Sequence, residues 1–280
     1  MHFDDRVAVV TGGASGIGLG IVRALSKRGM KLVIADLDEQ GVRRAVAETV
    51  DAGGEAIGQI CDVSDPEAMH SLADATLSQF GAVHVLCNNA GVGLPTPAHK
   101  MNLSDWRWII EVNLWGAING VNAFLPHLEK AEQAHINTTS SLAGLIAPEF
   151  MGAYAAAKHG CIGFMTSLER ELRVRQSAVR TSVLCPAAVD TNISRTSVLH
   201  RPDARQAKDA HRGDRDKGKS IQASLSKGMS PDKVGEILAD AISKERFWVM
   251  THPELFKELT AQVDALVSDQ TLTTANVGLN

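Results

Sequence analysis

Short apolar runs alternate along the chain with longer segments whose apolar positions recur every three or four residues. Residues 7–11 form a β-branched run, and residues 16–28 set Ile17, Ile21, Val22 and Leu25 at helical spacing, so the chain opens as strand, glycine turn, helix. The same reading predicts strands at 31–35, 56–60, 83–87, 135–139 and 180–184, and helices at 39–51, 65–80, 104 to about 129 and 151 to about 175. Each strand is short and mostly apolar, as expected where helices cover both faces. Repeated βα units with right-handed crossovers build an α/β fold around a doubly wound parallel sheet.

After Pro186 this rhythm breaks. Residues 194–227 are polar and charge-rich, and 192–228 reads as an excursion from the sheet. Order returns at Ser230-Pro231-Asp232, a helix start with proline in the first turn, leading into 234–243. A strand at 247–250 and a helix from about 253 to 267 close the fold, bringing the sheet to about seven strands, and 268–280 read as a loose tail. With 280 residues, 44% of them hydrophobic, the chain can bury one large core. No repeat or linker divides it, so a single domain over 1–280 is expected.

Composition narrows the function classes. A formal net charge of −4 favours neither nucleic acid nor an anionic membrane as partner and leaves small molecules. No apolar run approaches the roughly 20 residues of a membrane span, and residues 1–6 pass into the first strand without a signal-peptide core, so a cytoplasmic protein is expected. Cys61, Cys87, Cys161 and Cys185 are widely spaced and read as buried free thiols. The ten histidines form no HExxH or matched pair, and no metal site is expected.

Candidate chemistry starts at Thr11-Gly12-Gly13-Ala14-Ser15-Gly16-Ile17-Gly18, between a strand and a helix. There backbone can approach a pyrophosphate closely and helix amides can donate to it. Asp36, 18 residues after Gly18 at the end of the second strand, can accept hydrogen bonds from adenine-ribose hydroxyls and would repel a 2′-phosphate. Asp36 or Asp38 could instead cap the next helix, and Asp38 suits that role better because Glu39 follows it directly. Neither the glycine turn nor Leu37 offers a cation for a 2′-phosphate, so NAD rather than NADP is the expected cofactor.

The spacing Gly12-x3-Gly16-x-Gly18 resembles the TGxxxGxG of the short-chain dehydrogenase/reductase family, which implies a Rossmann-type sheet. Asn88-Asn89-Ala90-Gly91 is similar to the family's NNAG, and Asn113, Ser141 and Tyr154-Ala-Ala-Ala-Lys158 follow in family order. The resemblance runs from about residue 5 to 193. Tyr154 and Lys158 lie four apart and so share a helical face, where the ammonium would stabilise a tyrosinate. Tyr154 would exchange the alcohol proton while hydride moves to or from nicotinamide, and Ser141 would hydrogen-bond the substrate oxygen. The resemblance further implies that Lys158 binds the nicotinamide ribose and that Asn113 holds a water linking Lys158 to solvent.

It also implies cofactor contacts for Gly12, Ser15, Gly16, Ile17, Gly18, Asn89, Ala90 and Gly91. Asp62, with Val63 beside it, resembles an adenine-contacting acid, although it could equally cap a helix or serve in a turn. Pro186-Ala187-Ala188-Val189-Asp190-Thr191 is similar to PGxVxT, so Pro186, Val189 and Thr191 would hold the carboxamide. Here Ala187 replaces the glycine, which questions any positive φ at that position.

Leu94, Pro95, Leu142, Ala143, Phe150, Ile193, Val198 and Leu199 suggest a hydrophobic substrate pocket. The seven Lys or Arg and four Asp between Arg201 and Lys219 read as a solvated lid or as an attraction for acidic substrates. Ser141-Leu142-Ala143-Gly144-Leu145, Ala117-Ile118-Asn119-Gly120 and Val249-Met250-Thr251-His252 are similar to bacterial NAD-dependent dehydrogenases of benzylic or other bulky secondary alcohols, and steroid or polyketide-like ketones would fit the same features. Oxidoreduction of such an alcohol and its ketone is the expected activity, with a dinucleotide sensor lacking turnover as the alternative. Family members pair the long helices at 104–129 and 151–175, implying a homodimer or homotetramer.

Overall fold

The computed structural model describes residues 1–201 and 225–268. Strands β1 (Val7–Thr11), β2 (Lys31–Asp36), β3 (Ala56–Ile60), β4 (Val85–Asn88), β5 (Ala134–Thr139), β6 (Val179–Cys185) and β7 (Trp248–Met250) form one sheet in the order β3-β2-β1-β4-β5-β6-β7. Every pairing is parallel. The order reverses between β1 and β4, and the crevice outside their carboxyl ends is where this architecture places ligands.

Alternation along the strands feeds two cores, because successive side chains point to opposite faces. Val9, Val33, Leu86, Ile136 and Val183 pack with Phe124, Met165 and Leu172. These last come from α5 (Gly116–Leu128) and α6 (Gly152–Val174), which share that face with α3 (Pro66–Phe80). Ala8, Val10, Leu32, Ile34 and Leu184 pack on the opposite face with Ile21, Leu25, Leu238 and Ile242. Here α1 (Gly16–Ser26) and α8 (Pro231–Ser243) lie beside α2 (Glu39–Asp51). The edge strand β3 has only partly buried or exposed positions, whereas β1, β4 and β5 are buried throughout.

Three local features depart from the sequence reading. The helix expected at 104–129 is divided: α4 (Leu103–Ile110) passes through a π-helical turn, Glu111–Trp115, into α5, with the Gly116 N–H donating to the Glu111 carbonyl. A 3-10 turn, Leu142–Gly144, follows β5. The 192–228 excursion begins with a helix, α7 (Ile193–His200), and closes at its base, where Met229 N–H donates to the Ala188 carbonyl and Asp190 N–H to the Met229 carbonyl. The charged stretch beyond Arg201 and the tail after Ser268 lie outside the described residues.

Asp65 caps α3 through the Glu67 N–H, and Pro231 opens α8 after the Ser230 cap. A short 3-10 turn, Pro253–Leu255, leads into α9 (Phe256–Ser268). Among the described residues no helix is long and apolar enough to cross a membrane.

Candidate active site

The carboxyl ends of the strands open into a cavity of about 1020 Å³ lined by residues from both sides of the β1/β4 reversal. At its floor the glycine turn takes backbone that side chains would block. Gly12 has φ +63° and Gly16 φ +51°, and a Cβ on Gly12 would lie 2.8 Å from the Ala90 Cα. A Cβ on Gly18 would lie 2.0 Å from the Gly12 carbonyl oxygen. Ser15 precedes α1 without spending its side chain on a cap, so the first-turn amides face the cavity mouth with the positive end of the helix dipole. This cradle fits a pyrophosphate.

Asn89 braces the turn. Its Nδ2 donates to the Thr11 and Gly12 carbonyls at 3.1 and 3.3 Å, and its Oδ1 accepts from Thr139 Oγ1 at 3.2 Å. The Asn89 and Ala90 N–H groups both donate to Thr11 Oγ1. Asn89 therefore shapes the floor through its neighbours.

Asp36 ends β2 with each carboxylate oxygen accepting one amide, Ala14 N–H and Asp38 N–H, both at 3.1 Å. The cap expected of Asp38 is only positional: Asp38 stands at the N-cap of α2, but its side chain makes no cap hydrogen bond and lies 3.5 Å from Arg44. Asp62 accepts from the Ser64 N–H and hydroxyl, the turn role among the alternatives, while still lining the cavity. Arg44 lines this end too, and was missed because a helix spacing does not say that α2 turns this position toward the end of β2.

Tyr154 and Lys158 project from α6 as the spacing predicts, with Lys158 Nζ 5.5 Å from the Tyr154 ring centroid. Lys158 is only 3% exposed, and its Nζ donates to the Thr139 carbonyl at 2.8 Å. A buried ammonium needs hydrogen-bond partners, and this carbonyl fixes the position of the Lys158 Nζ. The Ser140 hydroxyl donates to the Lys158 carbonyl at 2.9 Å, locking α6 to β5 at this level. Ser141 Oγ caps the 3-10 turn by accepting from Ala143 N–H at 3.1 Å. Lys158, Ser141 and Tyr154 all line the cavity.

Asn113 stands behind them, 2% exposed, in the π turn. Its Nδ2 donates to the Val92 and Ile109 carbonyls, each at 2.9 Å, and its Oδ1 accepts from Val92 N–H at 3.3 Å. A Cβ on Gly91 would meet Asn113 Oδ1 at 2.7 Å and Lys158 Nζ at 3.5 Å, so Gly91 lets these two side chains share one corner. Asn113 and Gly18 are the two expected site residues that do not line the cavity; Gly18 lies beneath the turn. Pro186, Val189 and Thr191 do line it, and Ala187 takes no positive φ, so the lost glycine imposes no backbone strain.

The far end of the cavity is largely apolar, with Thr196 and His200 on its α7 side. Pro95, Leu142, Ala143, Ile193 and Leu199 line it as expected; Leu94 instead packs on the Met101, Ile109 and Ala153 cluster, and Phe150 and Val198 are exposed. Trp108, Val112 and Met151 complete the wall and were missed. The four-residue spacing of Trp108 and Val112, one position before Asn113, was the available signal. All four cysteines are free and buried, and burial pushes the Cys61 thiol up to about 11 and the Cys87 and Cys185 thiols up to about 12. They are inert thiols rather than nucleophiles.

Residues 6–201 match the family model described as short chain dehydrogenase. Over 267 residues the chain is 33% identical to a C alpha-dehydrogenase of Sphingobium sp., covering 95% of this chain and 86% of that protein. It is likewise 33% identical over 267 residues to a 1-deoxy-11-beta-hydroxypentalenate dehydrogenase of Streptomyces exfoliatus, covering 94% and 89%. Among solved structures, a short chain dehydrogenase/reductase from Burkholderia phymatum in complex with NAD matches with TM-score 0.94 and 35% identity over 99% of each chain.

Proposed function

The chain belongs to the short-chain dehydrogenase family, and from that premise we propose that it interconverts a hydrophobic secondary alcohol and its ketone with NAD(H). The observation that carries this reading is the buried Lys158 ammonium beside Tyr154, on one wall of a cavity whose floor is a glycine cradle and whose far end is largely apolar. The cradle of Gly12, Ser15, Gly16, Ile17 and Gly18 would hold the pyrophosphate. Asp36 would accept from the adenosine ribose, Asp62 and Val63 would border adenine, and Ala90 and Gly91 would underlie the nicotinamide half. Pro186, Val189 and Thr191 would take the carboxamide. When bound, NAD supplies the hydride acceptor.

In the oxidative direction Tyr154 Oη takes the alcohol proton as the carbinol hydrogen leaves as hydride, and in reduction it returns the proton. Lys158 stabilises the phenolate through its adjacent charge, and the Thr139 carbonyl keeps that charge in place. Ser141 Oγ donates to the substrate oxygen as negative charge develops there. Asn113 holds the corner behind Lys158 through which a water would return protons to solvent. Asp36, Asp38, Glu39 and Asp62 outnumber Arg44 at the adenosine end, an environment that suits a neutral ribose and opposes a 2′-phosphate.

Absorbance of NADH on incubation with a panel of secondary alcohols and ketones tests the activity. Tyr154→Phe should lower kcat by about 10²- to 10⁴-fold, the usual worth of a positioned proton-transfer group, while NAD affinity stays near wild type. Retained turnover in that variant would refute the proton role. Absence of turnover with every compound, despite tight NAD binding, would favour a sensor. We assign the protein to the cytoplasm, whose reducing conditions suit four free buried thiols. The exposed Leu103, Trp115 and Val174 on the α4–α5 and α6 helices support a homodimer or homotetramer, and sedimentation equilibrium should give a mass of at least two chains.

A further inference from the structure

Helix α7 forms one wall of the cavity through Ile193, Thr196, Leu199 and His200, yet its one fully buried residue is a serine, Ser197. Val198 and Leu199 are 55% and 72% exposed. With so little apolar surface removed from water, hydrophobic burial cannot fix where this helix sits. Two polar attachments do so instead. Ser197 Oγ accepts from the Gly93 N–H at 2.8 Å and donates to the Ile193 carbonyl at 2.6 Å, tying the middle of α7 to the loop that borders the Tyr154 ring.

Immediately after α7, Arg201 reaches across to α4. Its Nε donates to Asp105 Oδ1 at 2.7 Å and its Nη2 to Oδ2 at 2.5 Å, a two-point fork. The Asp105 side chain is 3% exposed and that of Arg201 21%. Asp105 itself is held by Asn102, whose Oδ1 accepts the Asp105 N–H at 2.7 Å. Three residues further along α4, Trp108 lines the cavity, so the fork fastens the end of α7 to another helix that lines it.

We propose that Asp105, Arg201 and Ser197 are positioning residues that hold α7 against the substrate half of the cavity, setting affinity for the alcohol without touching the reacting atoms. The proposal rests on the secondary-alcohol reading, and two readouts separate the two. The variants Arg201→Met, Arg201→Lys, Asp105→Asn and Ser197→Ala are compared with wild type using 1-phenylethanol and NAD. Arg201→Met should raise KM for the alcohol about tenfold or more while kcat and the Kd for NAD stay within about twofold. Arg201→Lys, which keeps the charge but loses the fork, should fall between. Combining Asp105→Asn with Arg201→Met should cost no more than Arg201→Met alone, because both remove one interaction.

Hydrogen exchange by mass spectrometry supplies the second readout. Peptides spanning 193–200 should exchange faster in Arg201→Met and Ser197→Ala, while β1, β4 and β5 keep their protection. Unchanged exchange in α7 would overturn the proposal. So would a parallel loss of Tm, NAD affinity and alcohol affinity, the sign of a bolt for the whole fold. Failure of the wild type to oxidise the alcohol counts against the proposed function alone, and the exchange result then decides the tether.

Discussion

Asp36 meets the cavity with both carboxylate oxygens already accepting backbone amides from Ala14 and Asp38. It is therefore a held charge, oriented before any ribose arrives, and Arg44, 3.5 Å from Asp38, is a cation lining the same end of the cavity. Wild type should prefer NAD over NADP by at least about tenfold in kcat/KM. Asp36→Ser should narrow or reverse that ratio, since Arg44 can then approach a 2′-phosphate, and adding Arg44→Leu should remove the gain. An Asp36→Ser variant with unchanged preference would show that the carboxylate does not select the cofactor. The acid was legible from its place 18 residues after Gly18. Arg44 was not, because only the pairing of β1 with β2 tells where the side of α2 ends up.

At the scale of elements, α1 and α8 cross so closely that glycine is required on both. A Cβ on Gly20 would lie 2.1 Å from the Pro231 carbonyl oxygen, and one on Gly235 would lie 2.1 Å from the Gly20 carbonyl oxygen. Gly235→Ala should therefore destabilise the protein by about 1–3 kcal/mol or more through overpacking, read as a lower urea midpoint at constant slope. An unchanged midpoint would mean that the helices can separate freely. Neither glycine carried a signal in the sequence beyond its place in a helical pattern, since a crossing joins segments some 215 positions apart. The π turn was hidden for a related reason. Apolar spacing from 104 to 129 fits one helix, and the extra residue per turn is stabilised by Asn113 bonding to Val92 and Ile109, a tertiary and a local contact acting together.

For the whole molecule, the most informative charge is one that the fold excludes. His135 is buried on β5, where burial depresses its pKa to about 3. The Ser182 hydroxyl donates to Asn137 Oδ1 at 3.0 Å, so His135 Nε2–H donates to Ser182 Oγ at 2.8 Å and Nδ1 is left without a partner. Protonation would put an unsatisfied N–H and a charge into the core. Because the folded pKa lies below the unfolded 6.5, the stabilisation is complete above pH 6.5 and is lost as pH falls toward 3. Stability should fall by about 2 kcal/mol between pH 6.5 and 5 from this group, with partly buried His84 acting in the same direction. Urea titrations across that range should show a flatter dependence in His135→Asn; an identical slope would refute the assignment. The sequence by itself determined the βα order, the glycine turn and the Tyr154–Lys158 face, because each is written in spacings of a few residues and in residue types with one physical use. Only the tertiary structure decided which α7 groups anchor the substrate wall, that Asp36 and Lys158 are held by backbone partners, and that Trp108 and Arg44 reach the cavity. Those facts depend on how distant segments register across the sheet, and contact between distant segments leaves no periodicity in the chain.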